Sequence, residues 1–387
     1  MAGAMVTTNI LSTVCAMGLA TLRERLALVL VANREYERLI TGASRFATVN
    51  VSVPAVVAAR VVAPNVVPPA VTAVTPTVVP VTLSQWYEAP FAMDDKGLAQ
   101  VDQGIIPMQA KEAIKGLANT IEDYLWSLLQ ASVGNFAGTV GTTPFGTGLD
   151  DFLGADKVLN DFLADTEDRY MILNTAAKAN AMGLRAIQDA SFRANTSNSL
   201  ITGEIGNVLG ARWLMSQRVP NHTSGTCAGV GTTVTGVNAA GAVTLALSGG
   251  ASGTLIAGDI IKFGATSPYN YNVVSSVGSG TPSSVTIAAP GLIAPTAGGE
   301  VVSIQGPSLV MAQNILIQKN CLAFAMAPLI DTIQVPGATM TAVAIDEVSG
   351  LSLRLEVSRQ HRQVQWAFDA LYGGAVIRPQ LASWLAG

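Results

Sequence analysis

Apolar side chains recur every three or four positions over residues 107–133. Ala110, Ile114, Leu117, Ile121, Leu125 and Leu128 share one stripe, while Lys111, Lys115, Asn119, Glu122 and Asp123 fall on other faces. The spacing predicts one long helix over 107–133, with Pro107 in the first turn, where a missing N–H does no harm. At about 1.5 Å per residue it would span roughly 40 Å. Two readings satisfy the pattern: a strut lying across a plate-like molecule, or an ordinary core helix of an α+β protein.

Upstream, residues 5–20 are apolar and continue into helical spacing at Leu22, Leu26, Val29 and Leu30. A helical arm over 1–45 follows, with Arg23, Arg25, Arg34 and Arg38 alternating with Glu24, Glu35 and Glu37 on a solvated or interface-lining face. The first positive charge is Arg23, so the basic start of an export signal is missing and export is not expected. Residues 46–57 alternate as a strand does, and 81–87 are its expected partner. Between them Pro64, Pro68, Pro69, Pro76 and Pro80 remove ladder donors and forbid helix. The rest of that stretch is valine, alanine and threonine, too apolar for a solvated linker. It should be extended and laid against something, either its own domain or a neighbouring subunit.

Past the long helix, a Gly/Thr-rich connector over 134–148 leads to an expected short helix at 156–163. A buried strand at 170–173 and a helix at 175–188 capped by Thr175 follow. Near Gly225 the composition breaks. From there to Gln305 the only charges are Asp259, Lys262 and Glu300, and alternating runs at 242–247, 259–264, 271–277 and 283–289 are separated by glycine-rich turns. That pattern predicts an inserted small all-β barrel or sandwich. Residues 314–326 read as helix-like, with strands expected at 341–344, 352–358 and 364–371. The fold class is α+β.

Composition changes the picture in one respect. A chain of 387 residues should form two or three domains. Yet only 12% of it is charged against 49% hydrophobic, which leaves little charge to cover a free surface and points to an assembly. A net charge of -4 without a Lys/Arg run gives no electrostatic footprint for nucleic acid. Cys15, Cys227 and Cys321 are odd in number and far apart, which fits free thiols in a reducing cytoplasm. No stretch reaches the ~18 uninterrupted apolar residues of a membrane span.

The search for chemistry finds no phosphate-binding, dinucleotide-binding, nucleophile-elbow or metalloprotease motif and no CxxC pair. His222 stands in a turn-like VPNHTSG and His361 in SRQHRQ, both read as surface residues with no carboxylate cluster nearby. Asp150–Asp151 and Glu167–Asp168 read as helix N-terminal charges. No catalytic, cofactor or metal site is assigned, and an enzyme is not expected.

Three segments carry a resemblance. They are DRYMILNTAAKANAMGLRAIQDAS from Asp168, GEIGNVLGARWLMSQRVPNHTSGT from Gly203, and the ending SGLSLRLEVSRQHRQVQWAFDALYGGAVIRPQLASWLAG. Gly203 to Gly210 leading into Arg212 and Trp213, then Val219, Pro220, His222, Thr223 and Gly225, and finally Trp366, Asp369, Leu371, Tyr372, Gly373, Arg378 and Pro379 are the most specific pieces. The chain resembles the major capsid (coat) proteins of tailed bacteriophages, in particular the short-tailed-phage type with an inserted β-domain. The resemblance extends to most of the chain and is strongest after residue 168.

It implies an N-terminal arm (1–45), an extended β-loop with flanking strands (46–106), a peripheral domain with a spine helix (107–150) and the first part of an axial domain (151–224). The inserted β-domain (225–305) follows, then the axial remainder with C-terminal peripheral strands (306–387). It implies self-assembly as pentamers and hexamers into an icosahedral shell, made in the host bacterial cytoplasm and enclosing double-stranded DNA without sequence specificity. A portal and scaffolding or decoration proteins are the expected partners, scaffolding being a separate protein or none, and no membrane is involved. Lys96 lies near the loop, but assembly is expected to be non-covalent. Candidate subunit-interface residues are Arg25, Arg34, Arg60, Pro64, Val67, Pro68, Pro69, Val71, Pro76, Val79 and Trp86. The alternatives are a nanocompartment shell of the same fold holding protein cargo, a secreted β-rich adhesin, and a hydrolase without a locatable site.

Overall fold

The long helix is present as Ile105–Ser132, 28 residues or about 42 Å. A computed structural model of the chain describes residues 13–22, 26–35, 48–54, 59, 76–96, 105–188, 205–227, 231–249, 253–264, 267–278, 280–327, 329, 339–345 and 351–387. The stripe is buried as expected at Ala110, Ile114, Leu117, Ile121 and Leu125, and it widens through Ala118, Trp126 and Leu129, while Leu128 is only partly covered. Lys111 and Asp123 are exposed, but Glu122 is buried, contrary to its place among the polar positions. The N-terminal segment explains this. Helical residues 13–22 and the short helix Ala27–Val31 pack Cys15, Leu19, Leu22, Leu28 and Val29 into the same core, and Leu28 N donates to Glu122 Oε1 at 2.9 Å. Leu30, expected on the apolar side, is exposed. The described part of the N-terminal segment is therefore docked. It ends by adding Asn33 beside Ala323 in a parallel bridge.

The strands, in chain order, are β1 Val49–Val53, β2 Thr77–Val81, β3 Gln85–Asp94, β4 Phe136–Gly138, β5 Arg169–Leu173, β6 Gly206–Val208, β7 Ala211–Met215 and β8 Asn221–Thr223. The insert holds β9 Thr233–Val234, β10 Thr244–Ser248, β11 Ile260–Phe263, β12 Asn270–Val277, β13 Ser284–Ile287 and β14 Val302–Ile304. After it come β15 Val310–Gln318, β16 Leu322–Ala327, β17 Thr339–Ile345, β18 Ser352–Gln360, β19 Gln363–Val376 and β20 Ala382–Ala386.

One sheet runs β4-β20-β15-β5-β7-β6, with β8 on β15, and another β16-β19-β18-β17, with β3 on β19. Both share their main core with the long helix. Residues 314–326, read as helix-like, are instead strand, a 3-10 turn and strand. Most of β15 and all of β16 are buried, so the run lacks the alternation that marks a half-buried strand. The partner of β1 is Thr77–Val81 rather than 81–87, and β2 accommodates Pro80 opposite Asn50 in a two-stranded pair.

Other local readings also shift. The helix expected at 156–163 is Asp150–Asp161, which places Asp150 and Asp151 in its first turn. Asn174, not Thr175, caps the helix Thr175–Gly183, accepting from Ala177 N at 2.7 Å; a second short helix, Arg185–Gln188, follows. Glu167 and Asp168 precede β5 instead of starting a helix. The connector over 134–148 is built in: it contains β4 and buries Phe145 against Trp213.

The insert has its own core, including Leu245, Ile261, Phe263, Val273 and Val285. Its strands run β14-β11-β12-β13-β10-β9. A Thr233–Val301 bridge, with Val234 N donating to Glu300 O and Val302 N to Thr232 O, both at 2.9 Å, joins the ends of this series. Of the two predicted architectures the described strands form the barrel, closed at this bridge. The chain enters and leaves it at neighbouring points, where Ser308 N donates to Gly225 O at 3.0 Å.

Besides the Phe162–Tyr269 ring pair and Ile260, which joins the main core, two polar side chains among the described residues weld the barrel to the body. Asn272 of β12, itself 1% exposed, donates from Nδ2 to Gln130 O at 2.6 Å and Val133 O at 2.9 Å, satisfying carbonyls that the end of the long helix would leave orphaned. Gly134 permits the approach, because a Cβ there would stand 2.8 Å from Asn272 N. The second contact is His222, which lies in β8 and not in a turn. Its Nε2 donates to Asp259 Oδ1 at 2.8 Å, and the fully buried Asp259 carboxylate also accepts from Gly225 N and Ile256 N. The reading of His222 as a surface turn residue is thus corrected: it is a largely buried strand residue whose partner comes from the insert.

Candidate functional site

Register decides which side chains of the five-stranded sheet share a face. The row Ala342, Leu355, Phe368 and Ala89 faces the long helix, and its members belong to the main core or pack against it. The alternate positions face away. Over β16 and the end of β19 that outer face is covered by the base of the β1–β2 pair, where Val51, Val81 and Leu83 meet Ala323, Ala325, Ala327 and Leu371. The cover needs Gly373, whose Cβ would stand 2.0 Å from Thr82 O.

Beyond Leu371 the outer face is open. One row crosses the sheet as Glu88, Asp369, Arg354 and Val343, the next as Pro90, Ala367, Glu356 and Thr341. Trp86 stands opposite Leu371 at the margin of the covered part and is 65% exposed, and Ile345 and Val343 are exposed on the far strand. Trp86 is nonetheless fixed. Its Nε1 donates to Asp369 Oδ2 at 3.0 Å, while Arg354 donates to the same carboxylate from Nε at 2.9 Å and Nη2 at 2.5 Å. Asp369 is buried, so the bidentate pair is shielded from solvent and holds the indole edge. An exposed aromatic ring held in one orientation loses little freedom on docking, which makes it a strong anchor for a partner.

Within these rows three carboxylates face one guanidinium. Arg354 neutralises Asp369 and lies 3.9 Å from Glu356, and Glu88 is exposed. The face is therefore apolar at its margins, paired at its centre and mildly acidic overall. Its chemistry suits docking. Among the described residues no group of three or more His, Cys, Asp or Glu could hold a metal, and no helix is long and apolar enough to cross a membrane.

Of the interface candidates, Trp86 lies in this face. Val79 and Pro76 lie on or beside β2, half-buried and exposed respectively. Arg34 is half-buried with its guanidinium 5.7 Å from the centre of the Phe324 ring, a contact within the chain. Arg25, Arg60, Pro64, Val67, Pro68, Pro69 and Val71 lie outside the described residues. Sequence reasoning did not single out Val343, Ile345, Glu88 or the Arg354–Asp369 pair. Alternation over 341–344 and 352–358 was the signal available for them, and it places Thr341 and Val343 on one face.

No protein-family model matches the chain, and no curated protein sequence does. Solved structures similar to it include one from Mycobacterium phage Che8, at 14% identity and TM-score 0.48, covering 93% of this chain and 90% of that one. The capsid of cyanophage P-SCSP1u is similar at 10% identity and TM-score 0.44, covering 87% and 82%. A virus-like particle from Pyrococcus furiosus is similar at 8% identity and TM-score 0.45, covering 97% and 99%.

Proposed function

We propose that the chain is a major capsid protein of a tailed bacteriophage, whose copies self-assemble into a closed shell around double-stranded DNA, and that its role is structural rather than catalytic. The observation that carries this reading is the open outer face of the β3-β19-β18-β17 sheet, with an exposed but fixed Trp86 in a chain poor in charge. The sequence segments from Asp168, Gly203 and Ser349 support it, as does the arrangement of a long helix backing a sheet, a two-stranded extension and an inserted barrel. Rings closing into a shell require head-to-tail contacts between unlike surfaces, and this face supplies one of them.

Expressing the chain, imaging it by electron microscopy and assaying purified particles for nucleic acid tests the reading. Closed particles from the chain alone or with its phage partners, with DNA inside those from infected cells, are expected. Strictly monomeric protein at high concentration would overturn shell formation. Particles filled with protein cargo instead of DNA would replace the phage with a nanocompartment.

A further inference from the structure

We propose that a cavity at one end of the inserted barrel holds an alkylammonium group, the head of a lysine side chain or of a free primary amine, on the carboxylate of Glu300. The cavity measures about 290 Å³, near the lower end for a ligand site, which suits one extended chain better than a bulky molecule. Its lining is largely aromatic. Phe263 and Tyr271 are buried with their ring centres 5.3 Å apart, and Tyr269 lines the same cavity while packing on Phe162 of the body at 6.1 Å. Tyr271 Oη accepts from Ile293 N at 3.2 Å, which holds the ring in place.

One charge enters this lining. Glu300 is half-buried, its Oε1 accepts from Ala297 N at 3.1 Å, and a Cβ on Gly264 would stand 3.9 Å from its Cδ, so the carboxylate is anchored at the cavity wall. Among the described residues Oε2 has no donor and the side chain no cationic partner. The other charges of the insert do not answer it: Asp259 is taken by His222, and Lys262 precedes Phe263 on β11 and so points to the opposite face. A carboxylate partly withdrawn from water without a counter-charge is costly, which favours a cation from outside.

The lining also selects the class of cation. A bare metal ion needs several oxygen ligands, and one carboxylate does not supply them. A guanidinium gains its advantage from a two-point grip, which Glu300 does not offer while Oε1 is engaged. An ammonium needs one acceptor for its charge and lays a methylene stem along apolar surface, here Tyr269, Pro268 and Pro295.

The test is saturation-transfer NMR on the full-length chain. The probe is Nα-acetyl-lysine N-methylamide, matched by the norleucine analogue, which has the stem but no ammonium. Transfer to the lysine probe, strongest at its δ and ε methylenes, is expected, with affinity lower by roughly tenfold or more for the norleucine analogue and in Glu300→Gln. Glutamine keeps an acceptor for Ala297 N, so the barrel should stay folded, and Glu112→Gln, which removes an exposed carboxylate from the long helix, should bind as wild type. Equal binding of both probes, or unchanged binding in Glu300→Gln, would overturn the proposal. Carbodiimide coupling of the chain purified from its native source then separates the two origins of the amine. Glu300 joined to a lysine of another chain identifies a side chain, and Glu300 modified only once a primary amine is added identifies a free ligand. A link to Lys262 of the same copy, or no coupling even with added amine, would overturn the proposal.

Discussion

Replacing Asn272 by alanine should unlock the barrel from the long helix. The side chain donates to two carbonyls, at 2.6 Å to Gln130 O and 2.9 Å to Val133 O. Val133 O keeps a second donor, Trp384 Nε1 at 2.9 Å, so its loss is an ordinary hydrogen bond of about 1 kcal/mol. Gln130 O loses this donor in a partly buried contact, at a cost of about 1–3 kcal/mol. Together these give roughly 2–4 kcal/mol, which corresponds to a fall of about 30- to 1,000-fold in protection against local opening. Hydrogen exchange of the unassembled subunit would read it at the amides of residues 129–134 and in β12, with the core strands β5 and β15 as internal reference. Asn272→Asp keeps the shape but sets a carboxylate against the negative end of the helix, and should cost more than alanine does. Unchanged exchange at 129–134 in both variants would refute the reasoning, because the cap would then contribute nothing.

Three other outcomes follow from single residues. Burial pushes the Glu122 carboxyl above its ordinary range despite the Leu28 and Ser216 donors. The folded chain then holds a proton that the unfolded chain has released, and stability should fall as pH rises from about 4 through the raised value. Glu122→Gln should flatten that slope in denaturation midpoints, and a parallel slope would count against it. Leu163 sits at φ 56° and is 92% exposed, so Leu163→Asn should stabilise the subunit by about 1 kcal/mol; a loss on chemical denaturation would show that the leucine is needed where it stands. Gly373→Ala drives a Cβ against the Thr82 backbone and should lower stability by about 1–3 kcal/mol or more, with exchange rising first in β1 and β2; wild-type exchange there would contradict the packing described.

The sequence carried some of this plainly and hid the rest for identifiable reasons. The long helix was legible because its stripe repeats over many turns, and β10 to β13 because glycine-rich turns separate alternating runs. Strands β15 and β16 were misread because burial on both faces removes the alternation. Glu122 was placed on a wet face because nothing local announces that helical residues far upstream cover it. The His222–Asp259 pair spans 37 positions and the Trp86–Asp369 contact 283, distances at which spacing in one sequence is silent. Trp86 was legible as a candidate, but the buried pair that fixes it was not.

The adjacency of Gly225 and Ser308 makes the barrel a cartridge at its ends: the chain could be rejoined there by a short turn, or by a different domain, with little change in the path of the backbone on either side. At its middle the barrel is not interchangeable in the same way, since it completes the long helix. A successful exchange would need a replacement that brings its own donor to the Gln130 and Val133 carbonyls and an acceptor for His222 Nε2 in place of Asp259. Foreign domains displayed at this junction should therefore sort by whether they cap the helix, more than by their size.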